Sequence, residues 1–170
     1  SLAVAQFLRV YRAKIAPGLG TILAGRLPVV SSKGRILVVD DEVNARSALA
    51  ELLRDEGYDV ETAADAFKAL GKFEAFAPAV VVTDLKMPGM DGVELVRKLR
   101  AYEDAPAVIV MTAFGAVESA VAAMRAGAAE YLAKPVNLDE LLVCLQRVLD
   151  HQALHRETKQ LRQRVKDRTA

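Results

Sequence analysis

Five side chains that could take part in chemistry stand directly after short apolar runs of this sequence. They are Asp40, Asp41, Asp84, Thr112 and Lys134. Three carboxylates, one hydroxyl and one ammonium form an oxygen-rich acidic set, which suits a hard cation that keeps some of its waters. The sequence therefore indicates Mg²⁺ or Mn²⁺, and it contains no cluster of His and Cys with the spacing of a zinc site.

Asp84 occupies the central place in this set. It ends the β-branched run 80–83 and precedes a Pro88-Gly89 turn and a helix that begins near Asp91. A carboxylate at the end of a buried strand is costly unless something compensates its charge. The position therefore predicts either a bound cation or a reactive role for Asp84.

Strands and helices alternate five times along the chain. The predicted strands are 36–39, 58–62, 80–83, 107–111 and 130–133. This alternation predicts an α/β fold with a doubly wound, five-stranded parallel sheet. Right-handed crossovers then bring the carboxyl ends of the central strands, and the five polar side chains with them, to one edge.

The helices are predicted from apolar rows and end signals. The rows assigned to the core include Ala45, Ala48, Leu49, Leu52 and Leu53 in the first helix and Val117, Ala120, Val121 and Met124 in the fourth. Asp65 is a predicted N-cap, and Asn137 with Glu140 forms a capping-box pattern for the last helix. No Gly or Pro follows until the end of the sequence, so this helix is expected to continue beyond the globule.

Charge divides the chain into three parts. Residues 1–33 are basic with no acid and form an unassigned N-terminal extension with an amphipathic pattern. Residues 34–150 form the predicted globular domain, which is acidic, and residues 151–170 form a basic helical tail. The acidic globule argues against direct nucleic-acid binding by this domain. The single cysteine, Cys144, favours a reducing, cytoplasmic location.

The motifs resemble a known family. Asp40-Asp41, the stretch from Asp84 to Gly92, Thr112-Ala113 and Lys134-Pro135 are similar to the receiver domain of two-component response regulators, over about residues 34–150. The segments 113–115 and 126–128 resemble receivers of the nitrogen-regulator type, which precede an ATPase and a DNA-binding domain. Neither of those domains is expected within this sequence.

The resemblance implies a (βα)₅ flavodoxin-like fold and a Mg²⁺-dependent phosphoacceptor, not an enzyme, in signal transduction and transcription regulation. The implied metal ligands are Asp41, Asp84 and the Lys86 backbone carbonyl, with Asp40 acting through water. Asp84 would accept a phosphoryl group from a histidine kinase, and Thr112 and Lys134 would bind its oxygens. Tyr131 matches an aromatic position that moves inward with the hydroxyl.

Three alternative functions compete with this one. A Mg²⁺-dependent aspartyl-phosphate hydrolase commonly has a second acid two residues after its nucleophile, where this chain has Lys86. A nucleotide or flavin binder needs a Gly-rich or hydroxyl-rich loop after the first strand, where this chain has acids. The third alternative is a docking module that is never phosphorylated, and the intact set of five residues argues against it.

Three further expectations concern details of the domain. The Lys134-Pro135 bond is predicted to be cis, since a tight turn must aim Lys134 at the site. Lys86 and Phe114 border the path of an attacking water, which predicts a long-lived phosphorylated form. A homodimer is predicted through the face of the fourth helix and fifth strand, extended by the C-terminal helix.

Overall fold

The computed structural model describes residues 32–113 and 116–169. Its strands are β1 Arg35–Val39, β2 Asp59–Ala63, β3 Val80–Asp84, β4 Ala107–Thr112 and β5 Glu130–Ala133. Its helices are α1 Val43–Asp55, α2 Ala66–Phe76, α3 Gly92–Arg100, α4 Val117–Ala126 and α5 Leu138–Thr169. The predicted amphipathic segment before residue 32 and the side chain of Phe114 lie outside the described residues.

All five strands pair in parallel, in the order β2-β1-β3-β4-β5. The chain therefore reverses its direction of winding between β1 and β3, which is where open α/β sheets place their sites. The predicted doubly wound five-stranded fold is confirmed.

Apolar side chains alternate between the two faces of the sheet and build two core layers. On one face the core contains residues of α2, α3 and α4, including Phe73, Leu95 and Leu99. On the other face it contains residues of α1 and α5, including Leu53, Leu141 and Leu145. The central strands are buried on both faces, which explains why their sequences read as continuous apolar runs.

Side-chain caps fix where several helices begin. The Asp65 carboxylate accepts a hydrogen bond of 2.7 Å from the Lys68 backbone N–H, as the sequence predicts. The Asn137 side chain accepts one of 3.2 Å from the Glu140 N–H. The Asp91 carboxylate accepts one of 2.9 Å from the Glu94 N–H, which starts α3 immediately after the loop 85–91 that follows β3.

The predicted core rows of α1 and α4 are wrong in part. In α4, Val117, Val121 and Met124 are exposed, whereas the small residues Ala120 and Ala123 are buried. In α1, Leu52 is exposed and Ala50 is buried instead. The buried residues of α4 are both alanines, so its larger apolar side chains face outward, whereas α1 buries Leu53 together with Ala50.

α5 is a single helix of 32 residues, and only its first part packs on the sheet. Its buried residues are Leu141, Cys144 and Leu145. Among the described residues, no helix is both long enough and apolar enough to cross a membrane.

Candidate functional site

Parallel strand registers bring the predicted residues to one edge of the sheet. Asp84 is paired with Met111 on β4, and Thr112 is paired with Ala133 on β5. On the other side of β3, Thr83 is paired with Val39, so that Asp40 follows directly beyond this pair. The structure thus places Asp40, Asp84, Thr112 and Lys134 at the carboxyl ends of four adjacent strands.

Three carboxylates form the acidic part of the site. One oxygen atom from each of Asp40, Asp41 and Asp84 lies within 4.8 Å of the others. The Asp40 side chain is 3% exposed and the Asp84 side chain is 13% exposed, whereas Asp41 is open to solvent. Oxygen donors on a partly open cluster match the coordination that Mg²⁺ prefers, because this ion keeps several waters.

The Lys134 ammonium lies between two of these carboxylates. Its Nζ atom is 2.8 Å from Asp84 Oδ2 and 3.3 Å from Asp40 Oδ2. Partial burial by itself lowers the pKa of Lys134, but the hydrogen bond to Asp84 and the charges of Asp84 and Asp40 raise it more. The net pKa lies above its ordinary value, so Lys134 is a cation at neutral pH. The Lys134-Pro135 bond is cis, as predicted.

Backbone groups orient the Asp40 and Asp84 carboxylates. Asp40 Oδ1 accepts a hydrogen bond of 3.0 Å from the Glu42 N–H, and Asp84 Oδ1 accepts one of 3.2 Å from the Lys86 N–H. The Arg46 guanidinium donates to the Asp40 carbonyl oxygen at 2.8 Å. Arg46 was not predicted, and its position in the first turn of α1 is the signal that the sequence offers for it.

A cavity of about 230 Å³ opens beside Asp84. Its walls include Lys86, Thr112, Ser119 and Lys134, and its apolar lining includes Ala116. The small residues leave space in front of the Asp84 carboxylate, and the polar groups surround that space with donors. Ser119 was not predicted, because a lone serine in a helix carries no distinguishing spacing.

Tyr131 lies outside this cavity, on β5, with its side chain half exposed. It lines a second cavity of about 510 Å³ together with Thr112 and the outward row of α4, which contains Val117, Val121 and Met124. Thr112 therefore borders both cavities. The arrangement joins the acidic site to an apolar surface through one buried threonine.

Comparison with known proteins decides the family. A sequence model described as the response regulator receiver domain matches residues 36–146. The chain belongs to the response regulator receiver family. Receivers of two-component systems accept a phosphoryl group, bind Mg²⁺ at an acidic pocket and interact with histidine kinases.

Individual relatives agree with this assignment. The regulatory protein AtoC of Escherichia coli is 41% identical over 129 residues, which cover 76% of this chain and 28% of AtoC. A crystal structure of NtrX from Brucella abortus has a TM-score of 0.72 at 36% identity, covering 78% of this chain and 30% of that one. A receiver domain protein from Clostridium thermocellum has a TM-score of 0.67 at 34% identity, covering 71% of this chain and 97% of that one.

The chain spans less than a third of the length of AtoC and NtrX. By contrast, nearly the whole of the Clostridium receiver corresponds to this chain. The shared region is therefore the receiver, and the nitrogen-regulator-like resemblance of the sequence is confirmed by these relatives.

Proposed function

We propose that Asp84 is the residue that receives the phosphoryl group in this receiver. The observation that carries the proposal is the Lys134 ammonium, which bridges Asp84 and Asp40 and lines the cavity together with Asp84. The Asp84 carboxylate has a cation beside one oxygen and open space in front of it. This position allows it to attack a phosphorus atom in the cavity. Thr112, on the cavity wall, donates to the new oxygens.

Asp40, Asp41 and Asp84 are the proposed carboxylate groups for Mg²⁺, with the Lys86 backbone carbonyl as a further ligand and Asp40 acting through water. The donor set supports this, because every group is a hard oxygen. When bound, Mg²⁺ supplies positive charge that neutralises the transferred group. Mn²⁺ fits the same donors.

The chain's own residues account for the remaining chemistry. An Asp84 oxygen forms a bond to phosphorus while the bond from phosphorus to the donor's imidazole nitrogen breaks, and the electron pair stays on that nitrogen. Because the transferred group is already anionic, catalysis rests on charge neutralisation and positioning. Lys134 provides the charge, and the Lys86 N–H fixes the carboxylate's orientation.

The assignment of Asp84 is tested by intact-mass measurement after treatment with acetyl phosphate and Mg²⁺. We expect one phosphoryl adduct on the wild-type chain and none on Asp84→Asn. Asp104→Asn is the matched control, because Asp104 is exposed in the loop before β4. An equal adduct on Asp84→Asn, or no adduct on the wild type, would contradict the assignment.

The same samples separate receiver function from the alternatives. A Mg²⁺-dependent hydrolase would release inorganic phosphate over many turnovers, whereas a receiver releases it slowly from a single adduct. An unphosphorylated docking module would show no adduct. Lys86 lies on the cavity wall and supports the receiver, since it offers no carboxylate to activate water.

We also propose a conformational switch that involves Thr112 and Tyr131, and a homodimer. Thr112 moves toward a phosphoryl group on Asp84, and Tyr131 turns inward into the space beside it. This biases the face of α4 and β5, whose outward apolar row supports a role in homodimer contact together with α5. Light scattering with and without beryllofluoride tests this, and equal masses would contradict it.

The proposed organisation has three parts: an extension at 1–33, the receiver at 34–150 and a helical tail at 151–170. An output domain outside this sequence would receive the signal through the tail. The proposed location is the cytoplasm, supported by the single free cysteine, Cys144.

A further inference from the structure

The sequence contains only two histidines, and both lie on α5 beyond the point where this helix leaves the globule. They are His151 and His155, and both side chains are exposed. Within the described residues, no hydrogen bond or ion pair engages either imidazole. Their ring nitrogens are therefore available to a ligand that comes from solvent.

Four positions separate the two histidines, which places them on the same face of the helix, one turn apart. α5 is continuous over Leu138–Thr169, so the turn between them is regular. Residues at this spacing have Cβ atoms about 5–6 Å apart. Two imidazoles that extend from such positions can bind one ion between them, as histidines at i and i+4 do in helical metal sites. α5 can thus present two nitrogen ligands to one point in the solvent.

The nitrogen ligands determine which ions this pair would take. Imidazole suits Cu²⁺, Ni²⁺ and Zn²⁺, whereas Mg²⁺ prefers oxygen. Among the three transition ions, a given nitrogen site binds Cu²⁺ most tightly. The cluster of Asp40, Asp41 and Asp84 offers carboxylate oxygens alone. The two sites are therefore expected to select different ions from the same solution.

The surroundings of the pair limit the site to two protein ligands. The positions three and four residues away from either histidine hold no Asp, Glu or Cys. Two nitrogens are too few for a structural zinc site, which has four protein ligands, so water completes the coordination. Arg147 and Lys159 lie one turn outside the pair, and only Arg147 has an acidic partner, Glu130. Repulsion from these cations keeps the affinity for a divalent ion modest.

We propose that His151 and His155 bind a divalent transition ion across one turn of α5, with Cu²⁺ bound more tightly than Ni²⁺ or Zn²⁺. Only the helical backbone brings the two imidazoles to this spacing, so the bound ion stabilises the helix in this turn. The site goes beyond the proposed function, because it depends neither on the assignment of Asp84 nor on the homodimer.

Calorimetric titration of the full chain with Ni²⁺ tests the site. The chain carries no histidine tag, and excess Mg²⁺ is present to occupy the acidic cluster. We expect one Ni²⁺ per chain. His151→Ala and His155→Ala should each weaken binding by about tenfold or more, because a single imidazole loses the advantage of two linked ligands.

A matched control keeps the composition of the chain and changes only the spacing. In the double variant His155→Arg, Arg156→His, the two histidines are five positions apart and lie on different faces of the helix. The net charge is unchanged, and both substituted positions are exposed, so the fold is not affected. We expect this respaced variant to bind Ni²⁺ as weakly as the two alanine variants do.

Electron paramagnetic resonance of bound Cu²⁺ reports the ligands directly. The wild-type spectrum should show coupling to two imidazole nitrogens, and the His155→Ala spectrum should show coupling to one. The proposal is overturned by a wild-type chain that binds no Ni²⁺, by undiminished binding in either alanine variant or in the respaced variant, or by a wild-type Cu²⁺ signal from a single nitrogen.

Acetyl phosphate labelling of Asp84 is measured on the same chains and should be equal in all of them. Loss of Ni²⁺ binding with normal labelling overturns only the metal site. Normal Ni²⁺ binding without labelling overturns only the assignment of Asp84.

Discussion

Gly92, the first residue of α3, has no room for a side chain. A Cβ atom at this position would lie 2.5 Å from the Asp84 carbonyl oxygen and 2.7 Å from the Leu85 Cα. Both are backbone atoms where the chain leaves β3 for the loop 85–91. This loop would therefore have to move to relieve the clash. We expect Gly92→Ala to lower the free energy of unfolding by about 1–3 kcal/mol and to reduce acetyl phosphate labelling of Asp84.

Gly71 in α2 provides the matched control. A Cβ atom there would meet nothing within 4 Å. Gly71→Ala should raise the free energy of unfolding by about 0.5–1 kcal/mol, because alanine loses less backbone entropy than glycine in a helix. Urea unfolding of both variants makes the comparison. If Gly92→Ala does not lower the midpoint relative to Gly71→Ala, the close approach at Gly92 does not constrain the loop.

The thiol of Cys144 should react slowly with labelling reagents. Its side chain is buried, and burial raises the pKa of the thiol, with a smaller contribution from the Glu130 charge and an opposing one from Arg147. The folded pKa exceeds the unfolded one, so this group's contribution to stability is complete below the unfolded pKa and is lost as pH rises through the folded pKa.

Labelling with a coloured disulfide reagent at neutral pH measures this behaviour. We expect Cys144 to react far more slowly in the native chain than in urea, because the thiolate is the reactive form. Ser47→Cys, at an exposed position of α1, provides a fast internal reference. Equal rates at the two positions would mean that the face of α5 around Cys144 opens readily.

Sequence predicts site residues well where the position within a strand fixes them. Asp40, Asp84 and Lys134 each follow an apolar run, and a parallel sheet leaves no freedom about which edge they reach. Arg46 and Ser119 lie on helices, and their distance from the site depends on how each helix is rotated against the sheet. The apolar rows fix that rotation only in part, so the sequence offers no more than the position of Arg46 in the first turn of α1.

In α4 the side of the helix that faces the core was likewise predicted wrongly. Its row of Val117, Val121 and Met124 has helical spacing, but the spacing does not specify which side of the helix is buried. The side of α4 that is buried carries Ala120 and Ala123, because close approach to neighbouring elements requires small residues. In α3 the pattern is unambiguous, because Leu95, Val96 and Leu99 are buried and charged residues occupy the other face.

Substitutions in α3 and α4 should therefore differ in their cost. Leu99 in α3 is fully buried, and Leu99→Ala should lower the free energy of unfolding by about 2–5 kcal/mol. Met124 is 39% exposed, and Met124→Ala should cost about 1 kcal/mol or less. Thermal or urea unfolding measures both. A larger loss at Met124 than at Leu99 would mean that the α4 row is a core row after all.

For the whole molecule, the globule is expected to end where α5 leaves it. Leu149 lies within 3.4 Å of the position that a Cβ atom on Gly34 would take, so the two ends of the domain meet there. A chain ending at Asp150 should unfold cooperatively, with a free energy within about 0.5 kcal/mol of the full chain at low concentration. Urea unfolding compares the two. A broad transition in the short chain would show that the tail contributes to the core.

The order of the strands also has a consequence for biosynthesis. Asp40 and Asp84 are made early, whereas Lys134, the ammonium that joins them, follows β5, the last strand to be synthesised. A growing chain that has assembled β1 and β3 holds two acids without their counter-charge. The ammonium that joins the two acids is thus the last of the three groups to be synthesised, and a chain that stops before β5 lacks the cation that bridges Asp40 and Asp84.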